Sequence, residues 1–132
     1  MQKNTILWAD DDCDDLMMMR EILLKNCPNY QIVEVNNGKE AIEFLEKSKK
    51  NAAYPCLVIL DINMPVMDGK ETLSTIKGRE DFKEIPVVVF TTSNSELDKM
   101  FCEKHNVEMI TKPPQYKSLE SAVMRLLQFC NS

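Results

Sequence analysis

Five short, nearly continuous apolar runs, each followed by a helical pattern, constrain this chain more than any other feature of its sequence. The runs are Thr5–Ala9, Gln31–Val35, Cys56–Leu60, Val87–Phe90 and Val107–Thr111. Most lack the strict alternation of a strand with one wet face, so they read as strands covered on both sides. Apolar residues at helical spacing follow each run: Leu16, Met19 and Leu23; then Ala41, Phe44 and Leu45; then Leu73 and Ile76; then Leu97, Met100 and Phe101. The last stripe, Leu119, Ala122, Val123, Leu126 and Leu127, is the cleanest. Helix-start signals stand at Asn37–Gly38, Asp68–Gly69 and Ser93–Asn94–Ser95, and Gly78 can end the third helix. The Met17–Met18–Met19 run reads as plastic core filling on the first helix. Repeated strand–helix alternation predicts an α/β protein: a parallel sheet of five strands between two layers of helices, joined by right-handed crossovers.

At 132 residues the chain fits one domain, 1–132, with no effector domain, and its apolar content of 44% suffices for a core without metal or disulfide. No apolar run approaches a membrane span, and Ile6–Ala9 is too short for a signal-peptide core. A cytoplasmic protein with no membrane partner is expected. Cys13, Cys27, Cys56, Cys102 and Cys130 form no C-x-x-C pair, which fits a reducing compartment and packing as small hydrophobes. Cys13 reads as a loop or helix-start residue, and the only histidine, His105, as a surface residue near the end of the fourth helix.

The net charge of −5 is concentrated at one place. Residues 1–15 carry one Lys against Asp10, Asp11, Asp12, Asp14 and Asp15, whereas the remaining 117 residues are nearly balanced. With no basic stripe to track a phosphate backbone, direct nucleic-acid binding is not expected. In a fold of this class the working site lies beyond the carboxyl ends of the strands. There the sequence puts Asp10, Asp11 and Asp12, then Asp61 and Asn63, then Thr91 and Thr92, then Lys112 and Pro113. Carboxylates gathered at about 4 Å repel by roughly 4 kcal/mol per pair at an effective dielectric near 20. A hard divalent cation relieves this, and all-oxygen ligation selects magnesium, manganese or calcium over zinc. A lysine and a hydroxyl opposite such a cation suit phosphoryl transfer, with Asp61 as nucleophile.

Four segments together resemble a response-regulator receiver domain, the CheY-like module of two-component signalling. They are Ile6–Asp12 (ILWADDD), Leu57–Gly69 (LVILDINMPVMDG), Pro86–Thr92 (PVVVFTT) and Thr111–Pro113 (TKP), in family order and spacing. The resemblance runs essentially from end to end and implies a three-layer α/β/α fold of flavodoxin-like, (βα)5 topology. It implies Asp61 as phospho-acceptor, with Thr91 bonding the phosphoryl group and Lys112 pairing with Asp61 or its phosphoryl oxygen. It further implies Mg2+, or Mn2+ in its place, held by Asp11, Asp61 and the backbone carbonyl of Asn63, with Asp10 behind them or acting through water. The bond from Lys112 to Pro113 is implied to be cis. Partners would be a sensor histidine kinase or histidine phosphotransfer protein and a downstream protein, reached by contact or phosphorelay. Met109 stands where family members often carry Tyr or Phe, which puts an aromatic switch in doubt.

Other readings stay open at this stage. Asp12 could belong to the acid pair or to the helix start, where Asp14 and Asp15 are expected, and Thr91 could cap the fourth helix. A turnover phosphatase of haloacid-dehalogenase type would need a second Asp where Asn63 stands, so the chain is expected to be no enzyme beyond slow loss of its own phosphoryl group. The alternative function is an interaction module of the same fold that works without phosphorylation.

Overall fold

The computed structural model describes residues 4–131. In chain order the elements are β1 (Asn4–Ala9), α1 (Cys13–Asn26), β2 (Tyr30–Val35), α2 (Gly38–Lys50), β3 (Leu57–Leu60), α3 (Gly69–Gly78), β4 (Val87–Thr91), α4 (Glu96–Lys104), β5 (Glu108–Thr111) and α5 (Tyr116–Leu126), followed by a 3₁₀ turn, Leu127–Asn131. All five strands are parallel, in the order β2-β1-β3-β4-β5. The chain therefore reverses direction across the sheet between β1 and β3. Ala9 and Leu60 are register partners there, so the residues after them leave the sheet side by side.

Residue alternation divides the core into two layers, as the period of two in a strand requires. Ile6, Trp8, Leu57, Ile59, Val88, Phe90 and Ile110 face α1 and α5, meeting Leu16, Met19, Ile22, Leu23, Leu119, Val123 and Leu126. Leu7, Ala9, Val58, Leu60, Val87 and Val89 face the other helices, meeting Ala41, Leu45, Leu73, Ile76 and Cys102. The helix starts are capped where the sequence signalled them. Asn37 accepts from the Glu40 amide at 2.9 Å, Asp68 from Glu71 at 2.8 Å and Ser95 from Asp98 at 3.4 Å.

Three expectations are corrected. Leu97 and Met100 are exposed, and α4 instead rests on the sheet through Cys102 and half-buried Phe101. A helix of nine residues lying over the edge strand has room to bury only a narrow stripe. Of the methionine run only Met19 is fully buried while Met17 is exposed, because consecutive helical residues point about 100° apart. Cys56 and Cys130 are not separate packing residues: they form a disulfide, their Cα atoms 4.9 Å apart across 74 residues of sequence. The 3₁₀ turn after α5 carries the chain back to the start of β3, a closure with no local signal in the sequence. No helix among the described residues is long and apolar enough to cross a membrane.

Candidate functional site

Asp10 and Asp61 extend β1 and β3 by one residue each. The Asp10 amide donates to Val35 O and the Asp61 amide to Ala9 O, both at 3.0 Å, so the sheet itself fixes their spacing. Lys112 follows β5, where its amide donates to Thr91 O at 2.7 Å. From that anchor the side chain reaches over the end of the sheet toward the acids. Its Nζ lies 2.5 Å from Asp10 Oδ2, 3.0 Å from Asp15 Oδ2 and 3.2 Å from Asp61 Oδ2. Asp10 is 0% exposed, Asp61 8% and Lys112 9%, while Asp11 is open to solvent.

The free carboxylate oxygens are tied as well: Asp10 Oδ1 accepts from the Asp12 amide at 2.9 Å, and Asp61 Oδ1 from Ile62 at 2.7 Å. Burial pushes the Asp10 carboxyl up to about 6, against the hydrogen bond and charge of Lys112, and the nearby Asp61 charge adds to the rise. For Lys112 burial opposes the ammonium, but the bond to Asp10 and the charges of Asp61 and Asp10 outweigh it and hold its pKa above the ordinary lysine value. The site is therefore an excess of carboxylate around one committed cation. Single oxygens of Asp10, Asp11 and Asp61 lie within 4.8 Å of one another, an all-oxygen set suited to a hard divalent metal with Asp11 on the solvent side.

Thr91 is fully buried at the end of β4, and its hydroxyl accepts from the Ser93 amide at 3.2 Å. It does not cap α4; Ser95 does.

The response regulator receiver domain model matches residues 6–124. The chain belongs to that family. Response regulator Rcp1 of Synechocystis sp. is 33% identical over 127 residues, covering 94% of this chain and 86% of that protein. The phosphorylated cyanobacterial phytochrome response regulator RcpA superposes with a TM-score of 0.88 at 32% identity, covering 98% of the receiver and 95% of that chain. The Mn2+-bound form of Rcp1 superposes at 0.85, also at 32% identity, covering 96% and 93%. Other relatives are longer proteins, of which the receiver spans 9% to 31%.

The structure gathers Asp10, Asp11, Asp61 and Lys112 as the sequence placed them, with Thr91 and Asn63 at the ends of neighbouring segments. Asp12 resolves as the cap of α1, accepting from the Asp14 and Asp15 amides at 3.0 and 3.1 Å. His105 ends α4, its Nδ1 2.9 Å from Phe101 O. The Lys112–Pro113 bond is a correction: no peptide among the described residues is cis. Trans is favoured by about 0.5–1 kcal/mol before proline, and the lysine reaches all three acids from the trans chain. Asp15 was missed as a member of the cluster. Its position in the first helical turn explains an acid without any contact, and only the course of the Lys112 side chain reveals the pairing.

Proposed function

We propose that the receiver accepts a phosphoryl group on Asp61 from the phosphohistidine of a sensor histidine kinase or phosphotransfer protein, and signals through protein contacts or phosphorelay. The observation that supports this most is the Asp61 carboxylate held 3.2 Å from a buried ammonium and within 4.8 Å of two further acids. A carboxylate oxygen of Asp61 attacks phosphorus, the P–N bond breaks, and the imidazole leaves with the electron pair and takes up a proton. Lys112 offers positive charge to the phosphoryl oxygens, and the buried Thr91 hydroxyl is free to turn from the Ser93 amide toward them. Asp11, Asp61 and the Asn63 carbonyl, with Asp10 behind them, would hold Mg2+. When bound, the ion supplies the charge neutralisation that phosphoryl transfer requires. Asn63 lacks a titrating proton at the position where a phosphatase of the aspartyl type uses a second acid, so no sustained turnover is expected.

Intact mass after incubation with acetyl phosphate, with and without Mg2+, tests the proposal. One Mg2+-dependent phosphoryl adduct, absent in Asp61→Asn, is expected. A folded wild-type protein that binds Mg2+ but gains no adduct from donor or kinase would instead favour an interaction module that works without phosphorylation.

A further inference from the structure

Lys112 has one partner more than an acid pair and an acceptor require. Asp15, in the first turn of α1, sets its Oδ2 closer to the ammonium than Asp61 does, 3.0 against 3.2 Å. We propose that Asp15 is a positioning residue that holds Lys112 back from the acceptor and sets how readily the ammonium is delivered to an incoming phosphoryl group; this rests on the reading of Asp61 as the acceptor.

The argument is one of valence. An ammonium has three N–H donors and no more. Asp10, Asp15 and Asp61 each take one, so the donor set is full. A phosphoryl oxygen can gain Lys112 only if a carboxylate lets go. Asp10 cannot do so cheaply: it is wholly buried and makes the shortest of the three contacts, 2.5 Å. Asp61 is the group being phosphorylated. Asp15 alone has a side chain open enough, 31% exposed, for water to replace the lysine. It also lines a cavity with Met18, Thr92 and Pro113 into which the carboxylate can turn. Its main chain is pinned by the Asp12 cap at 3.1 Å, so the motion belongs to the side chain and not to the helix. Asp15 therefore competes with the phosphoryl group for one donor, and removing its charge removes the competitor.

The test compares Asp15→Asn and Asp15→Ala with Asp14→Asn, each phosphorylated by acetyl phosphate and Mg2+ at several donor concentrations. Asp14→Asn loses the same charge one residue away, from a side chain that is not a partner of Lys112. All three variants should bind the anionic donor somewhat better, through a lower apparent KM. Only the Asp15 variants should raise the limiting rate at saturating donor, several-fold, with Ala at least equal to Asn and with Asp15→Glu returning toward wild type. If the wild type acquires its adduct on Asp61 but the Asp15 variants keep its limiting rate, the positioning role is wrong and the receiver chemistry stands. If the folded wild type acquires no adduct from any donor, the acceptor reading fails and the role of Asp15 falls with it.

Discussion

Gly69 is seated on the backbone of Asp61: a Cβ at residue 69 would stand 2.1 Å from the Asp61 carbonyl oxygen and 2.8 Å from the Ile62 Cα. The Gly69 amide donates to Ile62 O at 2.8 Å, so the first turn of α3 and the residue after β3 are locked together. Because the obstructing atoms are backbone, no rotamer change relieves the clash. Gly69→Ala should cost about 1–3 kcal/mol as an overpacking substitution, and should displace the Asp61 main chain. Mg2+ affinity and adduct formation should both fall. Gly78→Ala is the matched control, since nothing lies within 4 Å of a Cβ there. It should stabilise by about 0.5–1 kcal/mol through helix propensity. Urea denaturation together with Mg2+ titration separates the two, and equal behaviour would refute the seating argument.

Lys112→Met leaves Asp10, Asp15 and Asp61 facing one another without their cation. Breaking a buried pair in this way costs about 3–5 kcal/mol. Mg2+ should restore more stability to this variant than it adds to the wild type, because a bound cation takes over part of the neutralisation. Denaturation midpoints in Mg2+ and in chelator read the difference directly. A variant as stable as the wild type in chelator would mean that the acids tolerate one another without the lysine.

Much of the fold was legible because the strands are covered on both faces and so carry unbroken apolar runs. Val87–Phe90 and Leu57–Leu60 could be read as strands without knowing their neighbours. Caps such as Asn37 and Asp68 were legible because they act over three residues of sequence. What escaped depends on distance along the chain. The burial of Cys102 in place of Leu97 and Met100 follows from how α4 lies over the edge of the sheet, not from its own apolar pattern. The pairing of Asp15 with Lys112 spans 97 residues, and the Cys56–Cys130 link spans 74. Asp10, Asp61 and Lys112 were found at equally long range only because strand ends in a parallel sheet converge by topology.

The loop after β4 is moored through Asp98. Its carboxylate pairs with Lys70 of α3 and accepts from the Ser93 hydroxyl, both at 2.5 Å, and Ser93 in turn donates its amide to Thr91 Oγ1. The Lys70 and Ser93 hydrogen bonds hold the Asp98 carboxyl below its ordinary value of 3.8. A depressed folded pKa adds stability above the unfolded value that is lost as pH falls through the folded one. Asp98→Asn should therefore flatten the decline in stability on acidification below about pH 4, where the unfolded carboxyl begins to protonate. Urea midpoints measured across that range check the sign. At neutral pH the same variant should speed amide hydrogen exchange in residues 92–95, and unchanged exchange would show that the loop is held without Asp98.

The Cys56–Cys130 disulfide closes most of the second half of the chain into a loop. In the chain-entropy treatment a closure of 74 residues is worth about 4 kcal/mol, less whatever geometric strain offsets it. Reduction should lower the melting temperature, by roughly 2–8 °C for each kcal/mol realised in a domain of this size class. Cys56→Ser should match the reduced wild type and should no longer respond to reductant. The effect on the site should be slight, because Cys56 precedes β3 and Asp61 follows it, which puts the two at opposite ends of the strand. Mg2+ affinity should therefore be the same in oxidised and reduced protein while the melting temperature differs. A melting temperature indifferent to reductant would mean that Leu127 and Phe129, packed on the α1–α5 side of the sheet, already hold the final turn in place. A change in Mg2+ affinity would mean that strain at the start of β3 reaches its far end.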